Sequence, residues 1–466
     1  MSSVVLPEGW ALSKIADISI RGVQRTPEAH ERFTYVDIGS IDREIKAILE
    51  PQYLLGETAP SRARKVINTG DIVVSLTRPN LNAVALVSDK YDNQIASTGF
   101  EVIKPALVDS RYIFALVRSK DFIDAISGKV QGALYPAAKA SDVQEYNFPL
   151  PPLAEQKVIA AKLDELLAQV DILKTRLTTI PTLLKRFRQS VLAAAVSGKL
   201  TEEWRGNNQY YVHELCNDWK WGQIPSSWSV DFYSSLVDSR LGKMLDKGKN
   251  SGVPTKYLGN INVRWFSFEF ENLQEILISE KERTELTLKI GDVLICEGGE
   301  PARCAVWSHS TEQPIVFQKA LHRARVLDKL TPNFLVFNLR NDADNRAIEQ
   351  LFTGTTIKHL TGKALSKYPI RLPPIEEQTE IVRRVEQLFA FADQIEQQVK
   401  NAQSRVNNLT QSILAKAFRG ELTADWRAAN PDLITGENSA QALLAKIKAE
   451  RDKPKKTPKQ QAMFTE

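Results

Sequence analysis

Two long stretches of the chain carry hydrophobic residues spaced alternately four and three positions apart. They cover residues 159–191 and 381–413, with mostly polar residues between the hydrophobic ones. This spacing predicts two long amphipathic helices, each with a hydrophobic stripe roughly 50 Å long at about 1.5 Å per residue. We interpret the stripes as a coiled-coil seam made of Ile159, Leu163, Leu166, Val170, Leu173, Leu177, Ile180, Leu184, Phe187, Val191, Ile381, Val385, Leu388, Ala392, Ile395, Val399, Ala402, Val406, Leu409 and Ile413.

Prolines and glycines mark where both helices begin and end. Tandem prolines at 151–152 and 373–374 precede the stripes, where a missing N–H costs little because it has no helical partner. Gly198 and Gly420 follow the stripes at positions typical of a C′ residue. Pro181 lies inside the first helix, where we expect a kink or a brief break.

The two helices belong to an internal repeat. Aligning Pro151 with Pro373 gives an offset of 222 (373 − 151), which holds without a gap to Arg205 and Arg427. "GKLTEEWR" in the first copy therefore meets "GELTADWR" in the second. Such self-similarity indicates one structural unit used twice. Two stripes of equal length favour pairing between the helices, although each stripe could instead pack into its own globular domain.

A looser similarity links the segments that precede the two helices. "LPEGW" from Leu6 resembles "IPSSW" from Ile224, and "INTGDIVVS" from Ile67 resembles "LKIGDVLIC" from Leu288. These landmarks are typical of short strands bounded by turns, whereas the divergent segments between them are typical of loops. The predicted parts are mixed or β-rich domains at 1–150 and 207–372, helices at 151–206 and 373–428, and a short helix with a Lys/Pro-rich tail at 429–466.

Composition limits the class of protein. The 466 residues contain no run of about twenty apolar residues and no secretory leader, which predicts a cytoplasmic protein without a membrane segment. Cys216, Cys296 and Cys304 form no CxxC pair, which argues against a disulfide framework and a zinc site. The net charge of +5 permits a nucleic-acid partner without requiring one.

Catalytic motifs are absent from the sequence. No GxxxxGK[ST], GxGxxG or HExxH motif occurs, and "NFPLPP" at Asn147 departs from the Asn/Asp-Pro-Pro-aromatic signature of adenine methylation. Glu155-Gln156-Lys157 is an E-x-K triplet of the kind found in nucleases, but its repeat partner at 377–379 ends in threonine. We therefore interpret the triplet as a solvent-exposed first helical turn, and we predict no catalytic residue and no metal site.

The repeated motifs resemble those of a known family. "PLPPLAEQKVIAAKLDELLAQVD", "LKRFRQSVLAAAVSGKLTEEWR" and "RVNNLTQSILAKAFRGELTADWRAANPDLITGENSA" closely resemble the conserved regions of type I restriction-modification specificity subunits, nearest to the enteric K/B (type IA) group. The close resemblance covers both repeats and the segment to about Arg451. In the globular domains, the resemblance to the family is confined to the short segments that the two halves of this chain share.

The resemblance implies an α+β fold, with two pseudo-repeated mixed α/β target-recognition domains separated by two long antiparallel helices forming a coiled coil. Each domain would read one half of a bipartite asymmetric target in double-stranded DNA, and the helices would set the gap. The chain would bind two modification subunits, which carry S-adenosylmethionine and methylate adenine, and restriction subunits that use ATP and Mg²⁺. It would carry no cofactor of its own.

The candidate DNA-binding residues have suitable side-chain chemistry and lie in the divergent turns. Arg and Lys bind phosphates and guanine edges, and Asn and Gln pair with adenine. The candidates are Arg62, Arg64, Lys65, Arg78, Asn80, Lys129 and Gln131 in the first domain, and Lys243, Lys247, Lys249, Asn250, Arg264, Arg303, Lys358 and His359 in the second. For any one of them, a solvated surface side chain is the alternative.

Two other functions are compatible with the sequence. The chain could be a coiled-coil scaffold that joins two protein-binding domains, which would bind no DNA in a sequence-dependent way. It could also be an enzyme with a site between its domains, which the missing motifs disfavour. Trp204 and Trp426, in the repeated motif, are expected to anchor the helix ends in a core.

Overall fold

The computed structural model describes residues 6–128, 137–206, 209–246, 248 and 250–452. In chain order, its α-helices are α1 (Ile15–Ile18), α2 (Ser110–Val117), α3 (Lys120–Ser127), α4 (Ala140–Gln144), α5 (Leu153–Val196), α6 (Glu202–Arg205), α7 (Tyr233–Leu236), α8 (Glu280–Leu286), α9 (Pro332–Asp344), α10 (Gly362–Leu365), α11 (Ile375–Phe418), α12 (Ala424–Ala429) and α13 (Ala440–Arg451). Short strands alternate with these helices, so the protein is of mixed helix and sheet.

The two predicted long helices are α5 and α11, and each contains 44 residues. Gly198 and Gly420 follow their ends with left-handed φ values of 77° and 76°, as a C′ residue requires. The expected break at Pro181 is wrong, because α5 is continuous through it. The carbonyl of Leu177, four residues earlier, accepts a hydrogen bond from the Gln403 side chain at 3.3 Å, so the missing proline N–H does not leave it unpaired.

Contacts divide the chain into two compact units. The first unit contains residues 1–177 and 402–466, and the second contains residues 178–401. Each unit therefore combines one globular segment with part of α5 and part of α11. The predicted boundaries of the globular domains stay a prediction, since the unit borders fall within the long helices.

Short strands build the globular part of the first unit. They are β1 (Ala11–Lys14), β2 (Arg32–Val36), β3 (Ile41–Asp42), β4 (Ala47–Ile48), β5 (Gln52–Leu55), β6 (Ala63–Ile67), β7 (Ile72–Ser75), β8 (Val84–Leu86), β9 (Gln94–Ser97), β10 (Phe100–Ile103) and β11 (Asn147–Leu150). Their sheets have the orders β5-β2-β9-β6, β10-β7-β8, β3-β4 and β1-β11. The β2–β9 pair is parallel and the others are antiparallel.

The second unit has a similar but not identical arrangement of strands. Its strands are β12 (Tyr210–Tyr211), β13 (Ile224–Pro225), β14 (Ser229–Phe232), β15 (Val237–Leu241), β16 (Val253–Leu258), β17 (Val263–Arg264), β18 (Ser267–Phe268), β19 (Gln274–Ile278), β20 (Val293–Cys296), β21 (Cys304–Val306), β22 (Val316–Phe317), β23 (Leu321–Val326) and β24 (Pro369–Leu372). The sheets are β15-β23-β20-β21, β19-β16-β22, β14-β24, β12-β13 and β17-β18. As β1 does with β11, β14 pairs antiparallel with β24 directly before a long helix.

In the "TGD" and "IGD" landmarks a buried aspartate pairs with a basic side chain, which is the buried Lys104 in the first unit and the half-buried Arg325 in the second. Asp71 and Asp292 are 6% and 1% exposed. Asp71 pairs with Lys104, and Asp292 binds Arg325 through two hydrogen bonds of 2.7 and 2.8 Å. In both units the aspartate precedes a fully buried strand, β7 or β20. The landmarks therefore belong to the scaffold that the two units share.

Within each unit, the two long helices run antiparallel. In the first unit, Lys162 donates to the carbonyl of Leu422 at 3.1 Å, while Gln403 reaches Leu177 farther along α5. In the second unit, the Arg188 guanidinium lies 2.6 Å from an Asp393 carboxylate oxygen. There, Arg384 donates to the carbonyl beyond the end of α5, that of Leu200, at 2.9 Å.

Buried stripe residues lie both in the globular cores and outside them, as Val170 and Ala392 do. Stripe residues that are at most 7% exposed are Ile159, Leu163, Val170, Leu184, Val191, Ile381, Val385, Ala392 and Val399. Leu173 and Leu409 depart from the predicted seam, because they are 43% and 39% exposed. Ile159 and Leu163 pack into the core of the first globular segment, whereas Leu173 and Leu409 lie outside every hydrophobic cluster of the described residues.

The predicted C-terminal helix is α13, and it packs in the first unit. Ala440, Leu443 and Ile447 are buried in the same hydrophobic core as the first globular segment. The backbone N–H of Ala440 donates to the Gly9 carbonyl at 2.9 Å, which ties α13 to the start of the chain. The Lys/Pro-rich residues 453–466 lie outside the described residues.

Candidate nucleic-acid interface

A fully buried carboxylate lies where the first globular segment meets α5. Glu155, in the first turn of α5, is 0% exposed. Its Oε2 accepts a hydrogen bond from the indole N–H of Trp10 at 2.7 Å. Its Oε1 accepts from the Thr423 hydroxyl at 2.7 Å and from the Arg427 guanidinium at 2.5 Å. One side chain therefore joins the beginning of the domain, the beginning of α5 and the turn after α11.

The second unit builds the same cluster. Glu377 is 1% exposed, and its Oε2 accepts from the indole N–H of Trp228 at 2.9 Å. Its Oε1 accepts from the Thr201 hydroxyl at 2.8 Å and from the Arg205 guanidinium at 2.7 Å. Each carboxylate oxygen has the same kind of donor in both units. We call the two sets, Glu155 with Trp10, Thr423 and Arg427, and Glu377 with Trp228, Thr201 and Arg205, the anchor clusters.

A neighbouring glutamine makes a second link in each unit. The Gln156 side-chain oxygen accepts from the backbone N–H of Asp109, the residue that caps α2, at 2.9 Å. The Gln378 oxygen accepts from the backbone N–H of Thr331, which precedes α9, at 2.8 Å. Both glutamines are 0% exposed. The start of each long helix is therefore fixed to its globular segment at two separate points.

These contacts correct two interpretations of the sequence. Glu155 and Gln156 do not form a solvent-exposed turn, because their partners come from segments far away in sequence. Trp204 is 47% exposed and so does not anchor a helix end in a core, while Trp426 is half-buried. The anchoring side chains in the repeated motif are the threonine and the arginine.

The first-unit candidates differ in their surroundings. Arg62 is exposed, whereas Arg64 is half-buried and donates to the Ala63 carbonyl at 2.7 Å. Lys65 is half-buried and pairs with Glu101 at 2.7 Å. Lys65 therefore already has a carboxylate partner, which would compete with a phosphate for its ammonium.

Arg78 and Asn80 share the β7–β8 hairpin loop, residues 76–83, and both are exposed. Arg78 and Asn82 adopt left-handed φ values of 49° and 47°, which non-glycine residues seldom do. The buried Asn82 side chain donates to the Val117 carbonyl at 2.8 Å and holds the loop. The loop thus presents Arg78 and Asn80 on a fixed backbone.

Lys46 supports the same loop. Its ammonium donates to the Asn82 carbonyl at 2.7 Å. Burial of the ammonium, with smaller contributions from the positive charges of Arg118 and Arg43, lowers the pKa of Lys46 to about 8.

Three of the second-unit candidates bind carboxylates. Lys243 pairs with Glu282 at 2.6 Å, and Arg264 binds Glu269 through two hydrogen bonds of 2.8 Å. Arg303 lies in the β20–β21 hairpin loop, which corresponds to the β7–β8 loop. It pairs with Glu300 at 2.9 Å and donates to the Asn260 carbonyl at 2.8 Å, while Asn250 donates to the carbonyl of Met244 at 3.1 Å.

Lys358 and His359 are exposed, beside the β20–β21 loop. A Cβ placed on Gly298 of that loop would lie 3.1 Å from the His359 ring, so the two segments touch. Lys129, Gln131, Lys247 and Lys249 lie outside the described residues.

The chain also matches a family of known proteins. A model of the type I restriction modification DNA specificity domain matches residues 7–182 and 233–403. The chain belongs to this family. Both matched ranges run from a globular segment into a long helix, so the family pattern occurs twice, as the internal repeat does.

Curated relatives and a solved structure support the assignment along most of the chain. The EcoKI specificity subunit of Escherichia coli (strain K12) is 38% identical, and the match covers 97% of each protein. The StySPI specificity subunit of Salmonella potsdam is 37% identical, with 96% of each protein covered. A crystal structure of the HsdS subunit from Thermoanaerobacter tengcongensis matches 90% of this chain and 99% of that one, with a TM-score of 0.64 and 26% identity.

Family membership makes the chain a DNA sequence-specificity subunit, which is a recognition component. In the part of the chain that the structure describes, no helix is long and apolar enough to cross a membrane. The anchor clusters were missed in the sequence, although their threonine and arginine repeat at the offset of 222 and their tryptophans end the "LPEGW" and "IPSSW" landmarks.

Proposed function

We propose that each unit reads one half of a bipartite, asymmetric DNA target. The observation that supports this most is the contrast between the anchors, which the two units share, and the loops, which differ between them. The anchor clusters agree atom for atom in their donors, whereas the hairpin loops "LTRPNLNA" and "EGGEPARC" between equivalent strands share almost nothing. One scaffold that carries two different loop sets suits two different half-sites.

We also propose that α5 and α11 act as a spacer that sets the unread gap. Their antiparallel contacts within each unit, and their length of 44 residues, support this role. A helix of this length spans roughly 66 Å at about 1.5 Å per residue, longer than the ~34 Å turn of B-DNA.

The most accessible candidates for DNA contact are Arg62, Arg78, Asn80, Lys358 and His359, which are exposed. Lys65, Lys243, Arg264 and Arg303 already pair with carboxylates. These carboxylates neutralise part of the positive charge and compete with a phosphate or a base edge, which lowers the gain from a DNA contact.

For partners, we propose two modification subunits, which supply S-adenosylmethionine and methylate adenine, and restriction subunits that use ATP and Mg²⁺. The two copies of the helix repeat would offer two equivalent docking surfaces. In this proposal the chain itself catalyses no reaction, and it acts in the cytoplasm.

Replacing residues 1–150 with the corresponding segment of a relative of different specificity tests the proposal. The methylated motif should change in one half only, and the chimera should still co-purify with its modification subunits. The reciprocal replacement of residues 207–372 should change the other half. A chimera that assembles and methylates the original complete motif would contradict the proposal.

A further inference from the structure

We infer that Glu155 and Glu377 are positioning residues that make the complex discriminate between gap lengths. This inference rests on the proposed function, and it assigns to the anchor clusters a role that base contacts do not have. The half-sites would be chosen by the loops. The gap length would be selected by the rigidity of the domains. The more rigidly each domain is fixed to the end of its helix, the fewer gap lengths the complex would accept.

The first step of the argument is connectivity. Glu155 is the acceptor for three side chains, those of Trp10, Thr423 and Arg427, which lie 145, 268 and 272 residues away. Trp10 directly precedes β1, the first strand of the globular segment. Any rotation of that segment about the end of α5 would therefore move the indole away from its acceptor.

The second step is burial. The Glu155 and Glu377 side chains are 0% and 1% exposed, and their partners Arg427 and Arg205 are 14% and 5% exposed, so little solvent is available to compensate for a lost partner. A charged pair in such surroundings tolerates little change in geometry, because an unpaired buried charge is costly. The anchor clusters therefore resist tilting more than a surface ion pair would.

The third step is the second attachment point. The bond between Gln156 and the N–H of Asp109 fixes α2 of the same domain to the next residue of the helix. In the second unit, Gln378 fixes the start of α9 in the same way. Two attachment points on separate elements define an angle as well as a distance.

The geometry of DNA explains why a rigid attachment of the domains would make the complex selective for one gap length. Each additional base pair moves one half-site by about 3.4 Å and rotates it by about 34° relative to the other. A domain held at a fixed angle cannot follow that rotation, whereas a loosely held domain can. Weakening an anchor cluster should therefore make gaps of the wrong length more acceptable.

The test uses the full chain in complex with its modification subunits. Methylation is measured on duplexes that carry the two half-sites with the wild-type gap, with one base pair fewer and with one base pair more, and on duplexes in which one half-site is altered. Glu155→Gln keeps the side-chain volume but replaces one acceptor oxygen by a donor, so at least one of the three donors must lose its partner. We expect the preference for the wild-type gap to fall about tenfold, the effect typical of one buried charge-assisted hydrogen bond.

A milder variant at each anchor cluster distinguishes an effect on gap selectivity from a loss of folding. Thr423→Val removes one hydroxyl while keeping the side chain's shape, and Thr201→Val makes the same change at Glu377. Both should weaken gap discrimination in the same direction but less, and preference among half-site sequences should stay unchanged. Thermal denaturation of each complex would show which variants are folded.

The outcomes separate the two claims. If folded variants lose methylation equally at all three gaps, the anchor clusters only stabilise the fold and the inference is wrong, even though the bipartite motif stands. If the wild-type complex shows no requirement for two half-sites, the proposed function itself fails. Selective tolerance of wrong gaps in Glu155→Gln and Thr423→Val supports both.

Discussion

Gln403 donates a hydrogen bond to the carbonyl of Leu177, the one carbonyl in α5 that Pro181 leaves without its helical N–H. Gln403 is also the residue that corresponds to Pro181 in the second repeat, because 181 + 222 = 403. Pro181 removes a hydrogen bond from α5, and Gln403, the equivalent residue of α11, replaces that hydrogen bond. This explains how α5 runs through a proline without a break.

Gln403→Ala should lower the free energy of unfolding by about 1 kcal/mol, the usual net contribution of one hydrogen bond. In the Pro181→Ala background the same change should cost less, because the new N–H at position 181 satisfies Leu177. The coupling is measured as a double-mutant cycle in urea denaturation followed by circular dichroism. Gln398→Ala, at an exposed position of the same helix, is the control. Equal costs of Gln403→Ala in both backgrounds would refute the explanation.

Gly198→Ala and Gly420→Ala should each destabilise the protein by about 2–5 kcal/mol. Both glycines have left-handed backbones, which cost a side-chain-bearing residue about 1–2 kcal/mol. An added Cβ would also lie 2.3 Å from Pro225 Cγ or 2.5 Å from Pro7 Cγ, and overpacking of this kind costs about 1–3 kcal/mol.

Gly206→Ala is the matched control for these glycines. Gly206 has a φ of 68°, but an added Cβ would meet no atom within 4 Å. Gly206→Ala should therefore lower the free energy of unfolding only by the cost of the left-handed backbone, about 1–2 kcal/mol. Thermal denaturation of all three variants compares them directly, and similar losses in all three would show that the proline contacts are unimportant.

Lys46 should become reactive toward acetic anhydride with a midpoint near pH 8, because its pKa is lowered to about 8 and only the neutral amine reacts. Lys90 is the control, since a neighbouring tyrosine raises its pKa. Mass spectrometry of peptides modified at each pH gives both midpoints, and identical midpoints would contradict the environment described for Lys46.

The same shift makes a prediction for stability. Between the folded pKa of about 8 and the unfolded value of 10.5, the unfolded chain binds more protons at Lys46 than the folded one. The contribution of Lys46 to stability should therefore increase as the pH rises through this window.

The sequence predicted the long helices well because their signals are local and repeated. The a/d spacing, the tandem prolines and the glycines at 198 and 420 each act within a few residues. The strands β7 and β20 were also indicated by β-branched runs after "TGD" and "IGD". Local periodicity determines such elements before tertiary contacts do.

The anchor clusters and ion pairs could not be predicted in this way. In the sequence, Glu155 has the position of a solvent-exposed residue at the start of a helix. The fold places Trp10 and Arg427 in contact with it. In the sequence, Lys65 and Arg264 have the chemistry of DNA-binding cations. In the structure, Glu101 lies beside Lys65 and Glu269 lies beside Arg264. Sequence spacing carries no information on partners that meet only in three dimensions, although the repeat of the anchor residues was an available clue.

The central claim is that this chain determines which DNA sequence is methylated, and mapping of methylated adenines in the source cell tests it most directly. Single-molecule sequencing would compare the intact strain with one that lacks only this gene. We predict the loss of one split motif, whose two halves and gap are the half-sites and spacing that the chain reads. If every methylated motif persists while the modification subunit is expressed, the chain does not specify the target.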